Sequence, residues 1–363
     1  MDWLEFYPAV FVTALLFSAL YTPLCKKLAW KLNILDVPKC EQHKLHAKAT
    51  PLLGGLSMFL SFLSVIILTA LGRGIQLRYF PGLTEGLKGV SLALPQFCVL
   101  VACAAAAVLL GLYDDKHSMK AWKKLIGQIF IAAVTATWGG VSITLFIGIP
   151  FISWCITVFW IVFIFNAINF FDNMDGLAVG TATIAFIFFA CAAAVNGQYF
   201  VASLAALSAG AGAGFWLYNR APASIFMGDS GSHFLGYLLA VVSAKVTYYT
   251  PGVASMKFSL LIPLFILAIP LLDTLMVVAI RLHNRKPIYV GDHNHISHRF
   301  MHMGLTRPQA VTMVHLLALI AGLGALPLLW GDLRTCILLI VQGLLLFVLI
   351  TYLQFVLVKK DSK

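Results

Sequence analysis

The chain has 363 residues, of which 61% are hydrophobic and only 11% charged. Soluble proteins carry roughly a quarter of their residues as charged side chains, so this composition excludes an ordinary water-soluble fold and points to lipid as the main solvent. The net charge of +11 does not imply nucleic acid, because no soluble basic domain is there to carry it. Beside apolar spans, Lys and Arg report orientation and contact with anionic headgroups.

A membrane-spanning helix needs about 20 apolar residues. Eleven such runs lie near 8–24, 52–71, 96–113, 122–140, 149–167, 177–195, 198–217, 232–249, 258–280, 310–329 and 334–357. The first run is preceded by Asp2 and Glu5 and followed by Lys26 and Lys27. A signal peptide has its basic residues in front, so a retained first span with its N-terminus outside is expected. The nearly continuous apolar stretch from Trp122 to Phe165 is divided at Gly139-Gly140 and at Gly148 with Pro150.

This division separates the charges. The side reached after the first span holds Lys26, Lys27, Lys31, Lys39, Lys44 and Lys48, then Lys116, Lys120, Lys123 and Lys124, then Arg220, then Arg281, Arg285, Lys286, Arg299 and Arg307, and finally Lys359, Lys360 and Lys363. The opposite side holds only Arg73, Arg78, Lys88, Lys245, Lys257 and Arg334. Positive charge marks the cytoplasmic side. The expected architecture is all-α and polytopic, with about 11 transmembrane helices and a cytoplasmic C-terminus. It forms one membrane domain over 1–363, with its longest inner loop at 281–309. The seven cysteines fall mostly within apolar runs and make no C-x-x-C pair, so they read as small buried side chains rather than a disulfide framework.

Carboxylates beside lipid are expensive and call for an explanation. Asp114, Asp115, Asp172, Asp175, Asp229, Asp273 and Asp292 all lie at or near the inner ends of separate runs, and none on the outer side. In chain order, the segment HAKATPLLGG brings Lys48, a point charge for phosphate or simply another inner-side cation, ahead of a glycine pair. GLYDD places Asp114 and Asp115 side by side. Such a pair is either solvated or neutralised by protons or a cation, and oxygen ligands suit Mg²⁺ or Mn²⁺ better than Zn²⁺. In NAINFFDNMDGLA a helix brings Asn169, Asp172 and Asp175 onto one face; the crowding of amides and carboxylates beside lipid makes a mere helix-capping cluster the weaker reading. FMGDSGS combines Asp229 with flanking glycines and serines at a helix start, which is an anion site or an ordinary cap. Asp273 in PLLDT either pairs structurally or faces the same polar cavity. DHNHISHR brings His293, His295 and His298 next to Arg299. Without H-E-x-x-H or a neighbouring cysteine, these side chains suit phosphate better than zinc.

Metal-capable acids, phosphate-capable cations and glycine turns at one membrane edge suit phosphoryl transfer between a soluble donor and a lipid acceptor. The ordered set TPLLGG, GLYDD, NAINFFDNMDGLA, FMGDSGS, PLLDT and DHNHISHR resembles the polyprenyl-phosphate N-acetylhexosamine-1-phosphate transferase superfamily, which includes the MraY, WecA and TagO types. The resemblance implies a cytoplasmic-face enzyme of the cytoplasmic membrane that uses a UDP-sugar, a polyprenyl phosphate and Mg²⁺, with Mn²⁺ as a substitute. It implies catalytic roles for Asp114, Asp115, Asp172 and Asp175, and metal binding by Asp229 with Asp115. Substrate binding would fall to Lys48, Asn169, Asp172, Asp175, His293, His295, His298 and Arg299. The last loop departs from the adjacent histidines of the MraY type. It is nearer the H-x-H-H of the WecA and TagO branch, with Ser297 in place of one histidine, and so favours UDP-GlcNAc over UDP-MurNAc-pentapeptide. The partners expected are these substrates and membrane lipids, not nucleic acid; a homodimer is left open. A secondary transporter is the rival from another class, but it would place acids near mid-membrane and often show inverted repeats.

Overall fold

The computed structural model describes residues 3–37, 49–72, 84–144, 147–246, 260–287 and 294–358. The helices, in chain order, are α1 (Trp3–Leu32), α2 (Gly54–Leu71), α3 (Thr84–His117), α4 (Ala121–Trp138), α5 (Pro150–Phe171), α6 (Leu177–Val195), α7 (Tyr199–Asn219), α8 (Gly228–Lys245), α9 (Ile262–Ile266), α10 (Ala268–His283), α11 (Ile296–His302), α12 (Arg307–Ala325) and α13 (Leu333–Val358). The strands among the described residues are β1 (Leu35–Asp36) and β2 (Thr50–Pro51), paired antiparallel with Leu35 opposite Pro51. Among the described residues, eight helices are long and apolar enough to cross a membrane: α1, α2, α3, α5, α6, α7, α12 and α13. The chain is therefore a helical, multi-pass membrane protein. The six cysteines among the described residues are free thiols.

The other expected spans carry their chemistry inside the helix. Lys123, Lys124 and Gln128 lie in α4, and Asp229 and His233 in α8. The ninth run is split at Leu267 into α9 and α10. Pro270 has no N–H to donate to the carbonyl of Ile266, so the ladder breaks there.

Helices α6, α7 and α8 form the interior, and α8 is buried from Ser230 to Ser243 on every face. In lipid, association rests on close packing and interhelical hydrogen bonds. Small residues supply the first: a Cβ added to Gly210 or Gly214 of α7 would lie 2.2 Å from the Phe11 carbonyl or 2.3 Å from the Leu15 carbonyl of α1. Serines supply the second: Ser18 donates to the Ala211 carbonyl and Ser61 to the Ala14 carbonyl, each at 2.7 Å.

The same packing assembles the motif-bearing ends. The first N–H groups of α2, from Gly54 and Gly55, donate to the carbonyls of Phe226 (3.1 Å) and Met227 (3.0 Å), and Phe226 donates back to Pro51 at 2.8 Å. Segments TPLLGG and FMGDSGS are thus hydrogen-bonded to one another, and two orphan donors of a helix start are satisfied. Gly111 of α3 lies so close to α8 that a Cβ there would be 2.4 Å from the Asp229 carbonyl. That approach carries Asp115, one turn further on, to the start of α8.

Candidate active site

Asp115 caps α8 from outside the helix. Its carboxylate accepts the N–H of Asp229 at 2.6 Å and that of Ser230 at 3.1 Å. A carboxylate on unpaired amides at the positive end of a helix is a charge-assisted arrangement. The motif FMGDSGS, expected just ahead of a span, instead forms the first turn of α8, and Gly228 enters it at a φ of 68°. Asp115 and Asp229 are thereby brought together from positions 114 apart in the sequence.

Lys124 of α4 sits among the acids. Its Nζ is 2.8 Å from Asp229 Oδ2, 3.0 Å from Asp114 Oδ2 and 3.3 Å from Asn169 Oδ1. The Asn169 amide donates to Asp229 Oδ1 at 2.6 Å and to Ser232 Oγ at 2.9 Å, and Asp114 is anchored by the Met119 N–H. Three motifs thus converge on one ammonium. Sequence reasoning counted Lys124 only as an inner-side charge. The available signal was its spacing, four residues before Gln128 and so on the same helix face. Below the acids runs a buried relay: Asn166 donates to Gln128 Oε1 at 2.8 Å, Gln128 lies 3.1 Å from His233 Nε2, and His233 Nδ1 meets the Asp229 carbonyl. Because a carbonyl only accepts, Nδ1 carries the proton and Nε2 accepts from Gln128.

The expected single helical face of Asn169, Asp172 and Asp175 is not formed. Helix α5 ends at Phe171, Asp172 is its C-cap, and Gly176 turns the chain at a φ of 74°. Asp175 lies within that turn, directly before Gly176, where it accepts the Ala223 N–H at 2.9 Å and tethers the loop before α8. Asp172 remains close enough to feel the cluster. Burial, followed by the negative charges of Asp229, Asp115 and Asp175, pushes its carboxyl up to about 8.

The histidine segment docks on the same edge. Asp273 accepts from His295 Nδ1 and from the Ile296 N–H, each at 2.6 Å. Of the two expectations for Asp273, structural pairing is what the fold displays. Ser297 Oγ donates to Asn173 Oδ1 at 2.6 Å, which ties α11 to the acid-bearing turn. His298 and Arg299 are buried, and Arg299 Nε donates to the Asn294 carbonyl at 3.0 Å. Lys48, Asp292 and His293 lie outside the described residues.

Among the described residues, no three His, Cys, Asp or Glu side chains form a ready-made metal cage; the Lys124 ammonium stands between Asp114 and Asp229. The donors gathered there are carboxylate and amide oxygens, the set that suits Mg²⁺.

Residues 97–247 match the family described as "Glycosyl transferase family 4". A Bacillus subtilis (strain 168) protein named "Probable undecaprenyl-phosphate N-acetylglucosaminyl 1-phosphate transferase" is 32% identical over 327 residues, covering 88% of this chain and 84% of that protein. The chain belongs to glycosyl transferase family 4. A "Decaprenyl-phosphate N-acetylglucosaminephosphotransferase" of Mycobacterium leprae (strain TN) is 31% identical over 86% of this chain and 81% of its own. A "Phospho-N-acetylmuramoyl-pentapeptide-transferase" of Lactiplantibacillus plantarum is 34% identical, but over 56% of this chain and 64% of its own. The family segment spans α3 to α8 and so includes Asp114, Asp115, Lys124, Asn169, Asp172 and Asp229.

Proposed function

We propose that this chain transfers GlcNAc-1-phosphate from UDP-GlcNAc to a polyprenyl phosphate, releasing UMP. The supporting observation is the convergence of Asp114, Asn169 and Asp229 on Lys124 at the N-terminus of α8. Phosphoryl transfer asks of a protein mainly charge neutralisation and in-line positioning, and this cluster gathers the charged and hydrogen-bonding groups that such a reading needs. In the proposed reaction a lipid phosphate oxygen attacks the sugar-proximal phosphorus and forms the new P–O bond. The bond from that phosphorus to the bridging oxygen breaks, and UMP leaves with the electron pair.

Asp114 orients the lipid phosphate or takes its remaining proton. Asp229, with Asp115 behind it, is the proposed holder of Mg²⁺, which when bound would neutralise pyrophosphate charge. His295, His298 and Arg299 complete the phosphate surroundings from α11. The proposed topology has eleven crossings, an outer N-terminus and an active site on the cytoplasmic face of the cytoplasmic membrane. It is supported by the one-sided distribution of Lys and Arg. Relatives named for GlcNAc transfer match over 86–88% of the chain and those named for MurNAc-pentapeptide transfer over 37–64%, which supports the GlcNAc donor.

The test is to incubate the purified protein with Mg²⁺, undecaprenyl phosphate and either UDP-GlcNAc or UDP-MurNAc-pentapeptide, and to follow UMP. Release from UDP-GlcNAc is expected. Release from the pentapeptide donor alone would reassign the substrate, and none from either would sink the reading. Asp114→Asn, Asp115→Asn and Asp229→Asn should each lower the rate by about two to four orders of magnitude, as losses of positioned acid–base and charge-stabilising groups do.

A further inference from the structure

Helix α11 is only seven residues long, yet it carries His298 and Arg299 and is preceded by His295. Hydrogen bonds to two other segments hold it. The first comes from Asp273 of α10, whose two oxygens are divided between the ring of His295 and the backbone of Ile296. The second is Ser297 to Asn173, the residue directly after Asp172. Arg281, about two turns further along α10, lies over the Phe170 ring of α5 at 5.6 Å.

Asp273 and His295 are both buried. A carboxylate beside lipid is costly, and a buried hydrogen-bonded pair that served packing alone could be replaced by apolar side chains with little loss. What the pair supplies instead is orientation. Facing a carboxylate, His295 must present Nδ1–H, and Nε2 is left as the ring position for any other partner.

We propose that Asp273 is a positioning residue that acts through His295. It sets the tautomer and ring orientation of His295 and, together with the Ser297–Asn173 bond, clamps residues 294–302 onto the acid-bearing turn at the end of α5. The kinetic consequence rests on the transferase reading; the clamp itself does not.

The experiment uses the full-length protein in detergent with two substitutions, Asp273→Asn and His295→Asn, singly and together. Asp273→Asn keeps the shape and removes the charge. It should lower kcat/KM by on the order of ten-fold or more, the usual effect of losing a histidine's outer partner. In the His295→Asn background it should change kcat/KM by less than about two-fold, because coupled residues are not additive. A full repeat of the single-variant loss in that background would overturn the proposal, since a merely structural Asp273 would act without His295. Hydrogen exchange of the 294–302 amides gives a readout independent of turnover. Exchange should speed up in Asp273→Asn, and unchanged protection would overturn the clamp. If the wild-type protein released no UMP from either donor while exchange still rose in the variant, the transferase reading would fail and the clamp would stand.

Discussion

Two helix starts in this protein are held by a carboxylate from a different helix. Asp115 of α3 accepts the first N–H groups of α8, and Asp273 of α10 accepts the first N–H of α11 together with the ring of His295. The surroundings differ. Helix α8 has 18 residues, is buried on all sides, and has Gly55 and Gly111 pressed against its backbone. Helix α11 has seven and is joined to the acid turn through Ser297. In the first case close packing fixes the position and the carboxylate contributes charge. In the second the carboxylate fixes the position. The same chemical device thus serves electrostatics in one half of the site and placement in the other.

The sharpest way to break this contrast is at Lys124. Lys124→Ala leaves Asp114, Asp229 and Asn169 without their shared cation while the packing of α3 on α8 remains. UMP release should fall by about 100-fold or more, the range for loss of a preorganised charge, and thermal unfolding should come earlier because two buried carboxylates lose their partner. Lys124→Arg should not restore it, because a planar guanidinium does not replace a compact ammonium among three oxygens. A near-normal rate in Lys124→Ala would mean that the carboxylate half, too, works by placement.

Much of this contrast was open to a reader of the sequence, and part of it was hidden. The apolar runs gave the helices because lipid imposes long apolar segments whatever their neighbours. The acids stood out because nothing cheap explains Asp114, Asp172, Asp229 or Asp273 beside such runs. Partnerships were not visible. Lys124 looks like Lys123 until α4 is rotated to place Gln128 in the interior. The spacing of Asn169, Asp172 and Asp175 suggested one face, but a helix ending at Phe171 and the left-handed Gly176 gave Asp175 to the Ala223 backbone instead. Asp273 could not be matched to His295 across 22 residues of sequence, because no local spacing rule pairs positions that far apart.

Ser297→Ala sharpens the histidine half at smaller scale. It removes one hydrogen bond, worth about 1 kcal/mol, and leaves Asp273 in place. The expected loss in kcat/KM is about five-fold, with faster amide exchange confined to 294–302. A loss as large as that of Asp273→Asn would make the Ser297–Asn173 bond as strong an anchor as Asp273.

Asp172 stands between the halves and gives the smallest and most directional test. Its carboxyl is raised from 3.8 to about 8 by burial and by the charges of Asp229, Asp115 and Asp175. Within that window the folded protein holds a proton that the unfolded chain has released, so this group makes stability fall as pH rises. Below the window both states are protonated and the contribution is constant; above it the penalty is complete. Asp172→Asn removes the ionisation, so thermal unfolding measured from pH 5 to pH 9 should decline less steeply than in the wild type, and the variant should be the more stable at the alkaline end. Equal slopes would mean that neither burial nor the neighbouring acids hold Asp172 protonated in the folded protein across this range.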